Sequence, residues 1–389
     1  MNSTAYDQFS RTARQAAKTV IANYSTSFAL ATRFLGPSHR AHIRNIYALV
    51  RIADEIVDGL AADAGLTPED QERLLESFVA ATKTGLERGI SDNLIIHAFA
   101  QTAQAAGITA ELIDPFFDSM RTDLESAHKD LESPSPATRV LAQRPFSPTP
   151  STRQNQPRPP VPPGPPTPPT HPTPPAPTPP VPSTPPVSPP RPTPPPRPTP
   201  QPRGLRGFDA DEHSRYVYGS AEVVGLMCLT VFLMDEDRTP TQRERLEFGA
   251  RQLGAAFQNI NFLRDLADDS IRLGRSYLTA EGRLTETEKT AWVRTIRDQL
   301  AHAEDTMTLL PRDARAAVRS AAALFTALID RIAETPVAEL YVKRIRVPNA
   351  VKARLAAKAI LTTAAEGRTL EHARSENETS VHARHEGRQ

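Results

Sequence analysis

The stretch His42–Asp58, HIRNIYALVRIADEIVD, carries acids at the border of an apolar helical face. At about 100° per residue, Tyr47, Arg51, Asp54 and Asp58 fall in a stripe roughly 60° wide. Ile43, Ile46, Val50, Ala53 and Val57 line the adjoining face. Because the polar stripe edges the apolar face instead of opposing it, its charges are expected to point into a cavity inside the protein.

A second helix of this kind is predicted over Gly254–Asp269, GAAFQNINFLRDLADD. Gln258, Asn261, Asp265 and Asp269 share a face about 80° wide. Leu253, Phe257, Ile260, Leu263 and Leu266 take most of the remaining circumference. A helix that is apolar nearly all round is buried, so its polar face must meet polar groups, water or ions. A lone pair of aspartates four apart is more often a solvated face than a metal site. Two copies, each on an apolar helix and each preceded by an arginine (Arg51 and Arg264), are more informative. Four carboxylates around one cavity would repel, and burying each without a counter-charge would cost several kcal/mol. Mg²⁺, with Mn²⁺ as the alternative ion, removes that penalty. It takes one or two carboxylates and completes its shell with water and phosphate oxygens. Arginine grips the same phosphates through its forked donors. Such a set makes diphosphate a good leaving group. With greasy helices around it, an allylic diphosphate with a long hydrocarbon tail is the natural substrate.

The rest of the chain is read as one helical domain interrupted once. Of 39 prolines among 389 residues, 32 lie between Pro134 and Arg203. Residues 1–132 and 208–366 form the two parts of an all-α domain in this reading. Between them, 133–207 is a basic, polyproline-II-like, disordered insert, and 367–389 is a disordered charged tail. The insert is expected to act as a linker, with docking to a proline-recognition domain as the alternative. Helix breaks fall at Gly36-Pro37, Gly65 to Pro68, Gly89 to Asp92 and Gly107. Thr67-Pro68-Glu69-Asp70 has the form of an N-cap followed by proline and acids in the first turn. Helices are further predicted over 209–234, 240–270, 285–310, 312–334 and 348–365. A net charge of +1 argues against nucleic acid as a partner. The single cysteine, Cys228, excludes an intramolecular disulfide and fits a reducing compartment. Without an apolar leader or a span of about 20 apolar residues, a cytoplasmic location is expected, with peripheral attachment to the inner membrane surface as an option.

Three ordered motifs carry a family likeness: RIADEIVD (51–58), YVYGSAEVVG (216–225) and QNINFLRDLADD followed four residues later by GRSYL (258–278). Together they resemble the squalene/phytoene synthase family, most closely phytoene synthases of the actinobacterial kind. The resemblance covers roughly residues 15–130 and 208–360. It implies an isoprenoid-synthase bundle with a central cavity. Asp54 with Asp58, and Asp265 with Asp269, match its two aspartate motifs, and Asn261 joins them as a metal ligand. Ser25, Arg51, Gln258, Asn261, Arg264, Arg275, Tyr277 and Arg344 match positions that hold diphosphate. Tyr47 matches a cavity tyrosine and is placed with the catalytic groups. Phe28, Tyr216, Tyr218, Val223 and Gly225 are expected to line the cavity. Phe325 stands where some relatives have tyrosine.

The activity that the resemblance implies is head-to-head condensation of two geranylgeranyl diphosphates to phytoene, the first committed step of carotenoid synthesis, without NADPH. The same machinery acting on farnesyl diphosphate, to give squalene, dehydrosqualene or presqualene diphosphate, is the nearest alternative. A non-catalytic interaction factor is a third, weakened because all four aspartates are present. Tyr47 and Tyr218 read equally as packed aromatics, and Gly219 and Gly225 as sites of close helix approach. His213 and His302 read as surface histidines, and Cys228 as core.

Overall fold

The computed structural model describes residues 4–132, 208–272, 277–279 and 283–366. The proline-rich stretch and the charged tail, both expected to be disordered, lie outside the described residues. The described chain is α-helical, with no strand. In order come α1 (Ala5–Tyr24), α2 (Thr26–Ala31), α3 (Pro37–Asp58), α4 (Leu60–Asp63), α5 (Pro68–Arg88), α6 (Leu94–Ala106) and α7 (Ala110–Glu132). Beyond the gap lie α8 (Ala210–Val217), α9 (Val223–Phe232), α10 (Pro240–Arg272), α11 (Glu286–Glu304), α12 (Arg312–Glu334) and α13 (Val337–Leu340). A last helix, α14, covers 349–366.

Helix ends are set locally. Thr4 and Asp7 form a reciprocal capping box at the start of α1, and Asp209 with Glu212 does the same for α8. Thr67 caps α5, whose first residue is Pro68, and Asn93 caps α6. Gly89 and Gly107 end α5 and α6 in the left-handed region, at φ 69° and 74°. Helices α8 and α9 are joined by one π-helical turn, Tyr218–Glu222.

The helices before the gap and those after it belong to one compact unit. Its apolar interior has two parts. One gathers α3, α5, α6, α7 and α9 around Ile46, Leu49, Phe99, Phe116, Phe117 and Met227. The other gathers α10, α11 and α12 around Ile260, Leu263, Ile296 and Ile329. Each such fully buried side chain contributes roughly 1.5–3 kcal/mol. Packing of α9 on α10 is unusually close. A β-carbon at Gly225 would lie 2.6 Å from the Ala250 carbonyl oxygen, and one at Gly254 would lie 2.6 Å from that of Ala221. None of the described helices is long and apolar enough to cross a membrane.

Candidate active site

A cavity of about 1170 Å³ runs between the two parts of the core. Helix α3 turns Tyr47, Arg51, Asp54 and Asp58 into it, while α10 contributes Gln258, Asn261, Arg264 and Asp265. Both acidic helices thus face one space, as their periodicity requires. Asp269 lies near the end of α10, but its side chain, like the whole of Arg275, is outside the described residues.

The acids sit in unlike surroundings. Asp54 is pushed up to about 8, first by burial and next by the neighbouring Asp58 charge, with Arg51 acting the other way. Its side chain is 33% exposed, and that exposure is to the cavity. Arg51 gives Asp54 only a 4.0 Å contact, because its guanidinium is taken by Glu55 and lies 4.6 Å above the Tyr24 ring. Asp265 is better compensated. Arg264 Nε donates to its Oδ1 at 2.9 Å, and Arg344 Nε lies 2.8 Å from the same oxygen. Arg344 Nη2 also donates to Oδ2, at 3.3 Å.

No group of three metal-ligating side chains is drawn together among the described residues. The donor set nevertheless fits a hard divalent cation shared with substrate oxygens. It is all oxygen, Asp54 lacks a full counter-charge, and the buried Oδ1 of Asn261 accepts no hydrogen bond.

Away from the acids the walls are apolar and aromatic. Ser25 caps α2 by accepting the Phe28 amide at 3.1 Å, and this places Phe28 against Tyr47, Phe257 and Phe325. Phe257 and Phe325 stack at 3.9 Å. Phenylalanine at 325 therefore completes an aromatic cluster, where a tyrosine would bring a hydroxyl. The Cys228 thiol lines the cavity as well, and burial pushes it up to about 12, so it stays protonated.

The π-helical turn corrects part of the expectation for the motif at 216–225. By inserting an extra residue in one turn, it rotates the residues after it. Tyr216, Ser220, Ala221, Val224 and Gly225 face the cavity. Tyr218 does not: it is exposed, on the opposite side of its helix from Tyr216. Nor does Val223, which is fully buried in the packing around Met227. His213, expected at the surface, is half-buried against Trp292 at 4.8 Å, and burial lowers its pKa. His302 is exposed beside Phe248.

Three cavity groups had not been expected. Arg346 and Lys352 line the cavity with Arg344, and Lys352 Nζ donates to Thr26 Oγ1 at 2.8 Å. Their signal was the basic run KRIRVPNAVK (343–352), which could have been read beyond its first arginine. Asp123, on α7, belongs to neither acidic motif and gave no signal. It accepts the Tyr216 hydroxyl on Oδ2 at 2.7 Å and the Tyr277 hydroxyl on Oδ1 at 3.0 Å. The Tyr277 O–H, expected for diphosphate, is thus directed to a carboxylate.

The sequence profile described as squalene/phytoene synthase matches residues 21–154 and 195–288, more than half of the chain. Among solved structures, the fold is similar to a dehydrosqualene synthase in complex with ligand, at TM-score 0.58 and 16% identity, covering 90% of this chain and 96% of that one. It is also similar to the squalene synthase HpnC from Alicyclobacillus acidocaldarius, at TM-score 0.54 and 13% identity, covering 84% and 96%. YisP from Bacillus subtilis subsp. subtilis strain 168 is similar at TM-score 0.53 and 11% identity, covering 92% and 100%. At these identities the likeness is one of fold. No curated protein matches the chain in a sequence comparison. The bundle is the all-α isoprenoid-synthase fold, and the enzyme class is that of prenyltransferases. The chain belongs to the squalene/phytoene synthase family, a divalent-metal-dependent type that condenses prenyl diphosphates head to head.

Proposed function

We propose that the protein condenses two molecules of geranylgeranyl diphosphate to phytoene by way of a cyclopropyl diphosphate. The observation that carries this reading is the division of one large cavity into a charged end and an apolar remainder. Its volume of about 1170 Å³ exceeds the roughly 300–1,000 Å³ of an ordinary ligand pocket, which supports two long chains lying side by side.

Asp54, Asp58, Asn261 and Asp265, with Asp269, are the residues that would hold Mg²⁺. When bound, the ion supplies Lewis-acid neutralisation of the charge that develops on a departing diphosphate. The chain's own cations act on the same oxygens: Arg51, Arg264 and Arg344 by forked donation, with Gln258 and Ser25 as neutral donors and Arg275 as a further arginine. Loss of the first diphosphate leaves an allylic cation. The double bond of the second substrate attacks it, and loss of a proton closes the cyclopropane. Departure of the second diphosphate starts a rearrangement that ends with loss of another proton. Phe28, Phe257, Phe325 and Tyr47 present ring faces that favour positive charge and exclude water. No covalent nucleophile is needed, in keeping with the protonated Cys228 thiol.

Purified protein with Mg²⁺ and labelled geranylgeranyl diphosphate should yield a C40 hydrocarbon without NADPH. Hydrocarbon formed solely from farnesyl diphosphate would replace the chain-length assignment, and a requirement for NADPH would point to squalene. Product from neither substrate would leave the interaction-factor reading.

A further inference from the structure

We propose that Asp123 is a positioning residue that holds Tyr216 and Tyr277 as a wall for the allylic cation, so that neither tyrosine serves as a donor to diphosphate. This rests on the head-to-head reaction proposed above. Asp123 is only 2% exposed, yet it borders the cavity together with both tyrosines. It comes from α7, Tyr216 from α8, and Tyr277 from the short segment after α10, so three distant stretches of chain meet at one carboxylate.

The two oxygens of Asp123 are used separately, one for each hydroxyl. A phenol has a single O–H. With that hydrogen directed to Asp123, the phenol oxygen turns only lone pairs towards the rest of the cavity. Lone pairs suit a positive carbon and repel a phosphate oxygen. The rings are fixed too. Tyr277 stacks on Phe262 at 4.4 Å with 12° between the planes, and the Tyr216 and Tyr277 centroids lie 5.3 Å apart. Ring faces carry partial negative charge, so this stack adds to the same preference. Burial raises the Tyr216 pKa well above its ordinary value, and Asp123 raises it further, which keeps the hydroxyl as a donor to the carboxylate.

The test uses the full-length protein. Asp123→Asn keeps the shape but can accept from only one phenol, while its amide donates to the other. Hydrocarbon kcat is expected to fall at least about tenfold with KM within about twofold. The ratio of diphosphate released to hydrocarbon formed should rise, as water adds to the stranded cation and loses a proton to leave an alcohol. A merely structural clasp would not move that ratio. Tyr277→Phe keeps the ring and removes the hydroxyl. By calorimetry it should bind inorganic diphosphate with Mg²⁺ within about twofold of wild type. A loss of about tenfold or more there would return Tyr277 to the diphosphate and overturn the inference. So would an Asp123→Asn protein with wild-type kcat and ratio. Calorimetry on Tyr277→Phe decides the matter even where Asp123→Asn proves unstable. Wild-type protein that forms no hydrocarbon overturns the reaction itself, and this inference with it.

Discussion

Arg344 reaches Asp265 at 2.8 Å and so ties the loop before α14 to the acidic face of α10. Arg344 is 41% exposed, and an ion pair that open to water contributes little to stability. Under the proposed function, its value lies in the second charge-assisted donor that it would offer to a diphosphate. Such bonds are worth roughly 1.5–3 kcal/mol. Arg344→Gln should therefore raise KM for the prenyl diphosphate about 10- to 100-fold, with the melting temperature little changed. Steady-state kinetics beside a thermal melt checks both halves of the prediction.

Asp54 gives a pH signature in metal-free protein. Its folded pKa, about 8, lies above the ordinary 3.8. Between those values the folded state holds a proton that the unfolded chain has released. Stability should consequently fall as pH rises from about 4 towards 8. Asp54→Asn removes this slope and should melt higher than wild type at pH 8 in chelator. The same variant should lose at least about 100-fold in turnover with Mg²⁺ present. An unaltered melting profile would count against the desolvated carboxylate, and unaltered turnover against its role.

His97 acts in the opposite sense. It is fully buried, its Nε2 lies 2.9 Å from Ser10 Oγ, and Nδ1 accepts the Ser91 amide at 3.4 Å, the pattern of a neutral ring. Burial, and then Arg14, lower its pKa. Below about 6.5 the unfolded chain takes up a proton that the folded ring refuses, so stability drops as pH falls. His97→Gln should lose part of that acid sensitivity in melts between pH 7 and pH 5. Some sensitivity remains, because the pKa values of His42 and His213 are lowered by burial as well.

Gly225→Ala should force α9 and α10 apart, because the added carbon would meet backbone at 2.6 Å. Overpacking of this kind costs roughly 1–3 kcal/mol. Since 1 kcal/mol shifts the melting point of a large domain by about 2–4 °C, a fall of roughly 2–12 °C is expected. Calorimetric unfolding measures it directly.

Much of this site is legible in the sequence. Asp54, Asp58 and Asp265 share a cavity because a 3.6-residue period fixes which side chains face together, and glycine, proline and threonine punctuate the helices at Pro37, Pro68, Gly89 and Gly107. Val223 departs from its expected place because the period fails across the π-helical turn, whose extra residue leaves no mark in the sequence. Tyr218 stands two positions, and so about 200°, from Tyr216, and its place at the cavity was an expectation from the family likeness that helical geometry does not support. Asp123 escaped notice because its partners, Tyr216 and Tyr277, lie 93 and 154 positions away and form no spacing pattern with it. His213 was taken for a surface group because its cover, Trp292, also comes from a remote helix.

Helices on both sides of residues 133–207 build the same interior, and Asp123 and Tyr216 bond directly across that stretch. A protease cut within it severs no helix among those described. The nicked molecule should stay together as two complementary fragments, each contributing one of the acidic walls. Expressed as separate chains, the fragments should find each other and restore the enzyme without a covalent join.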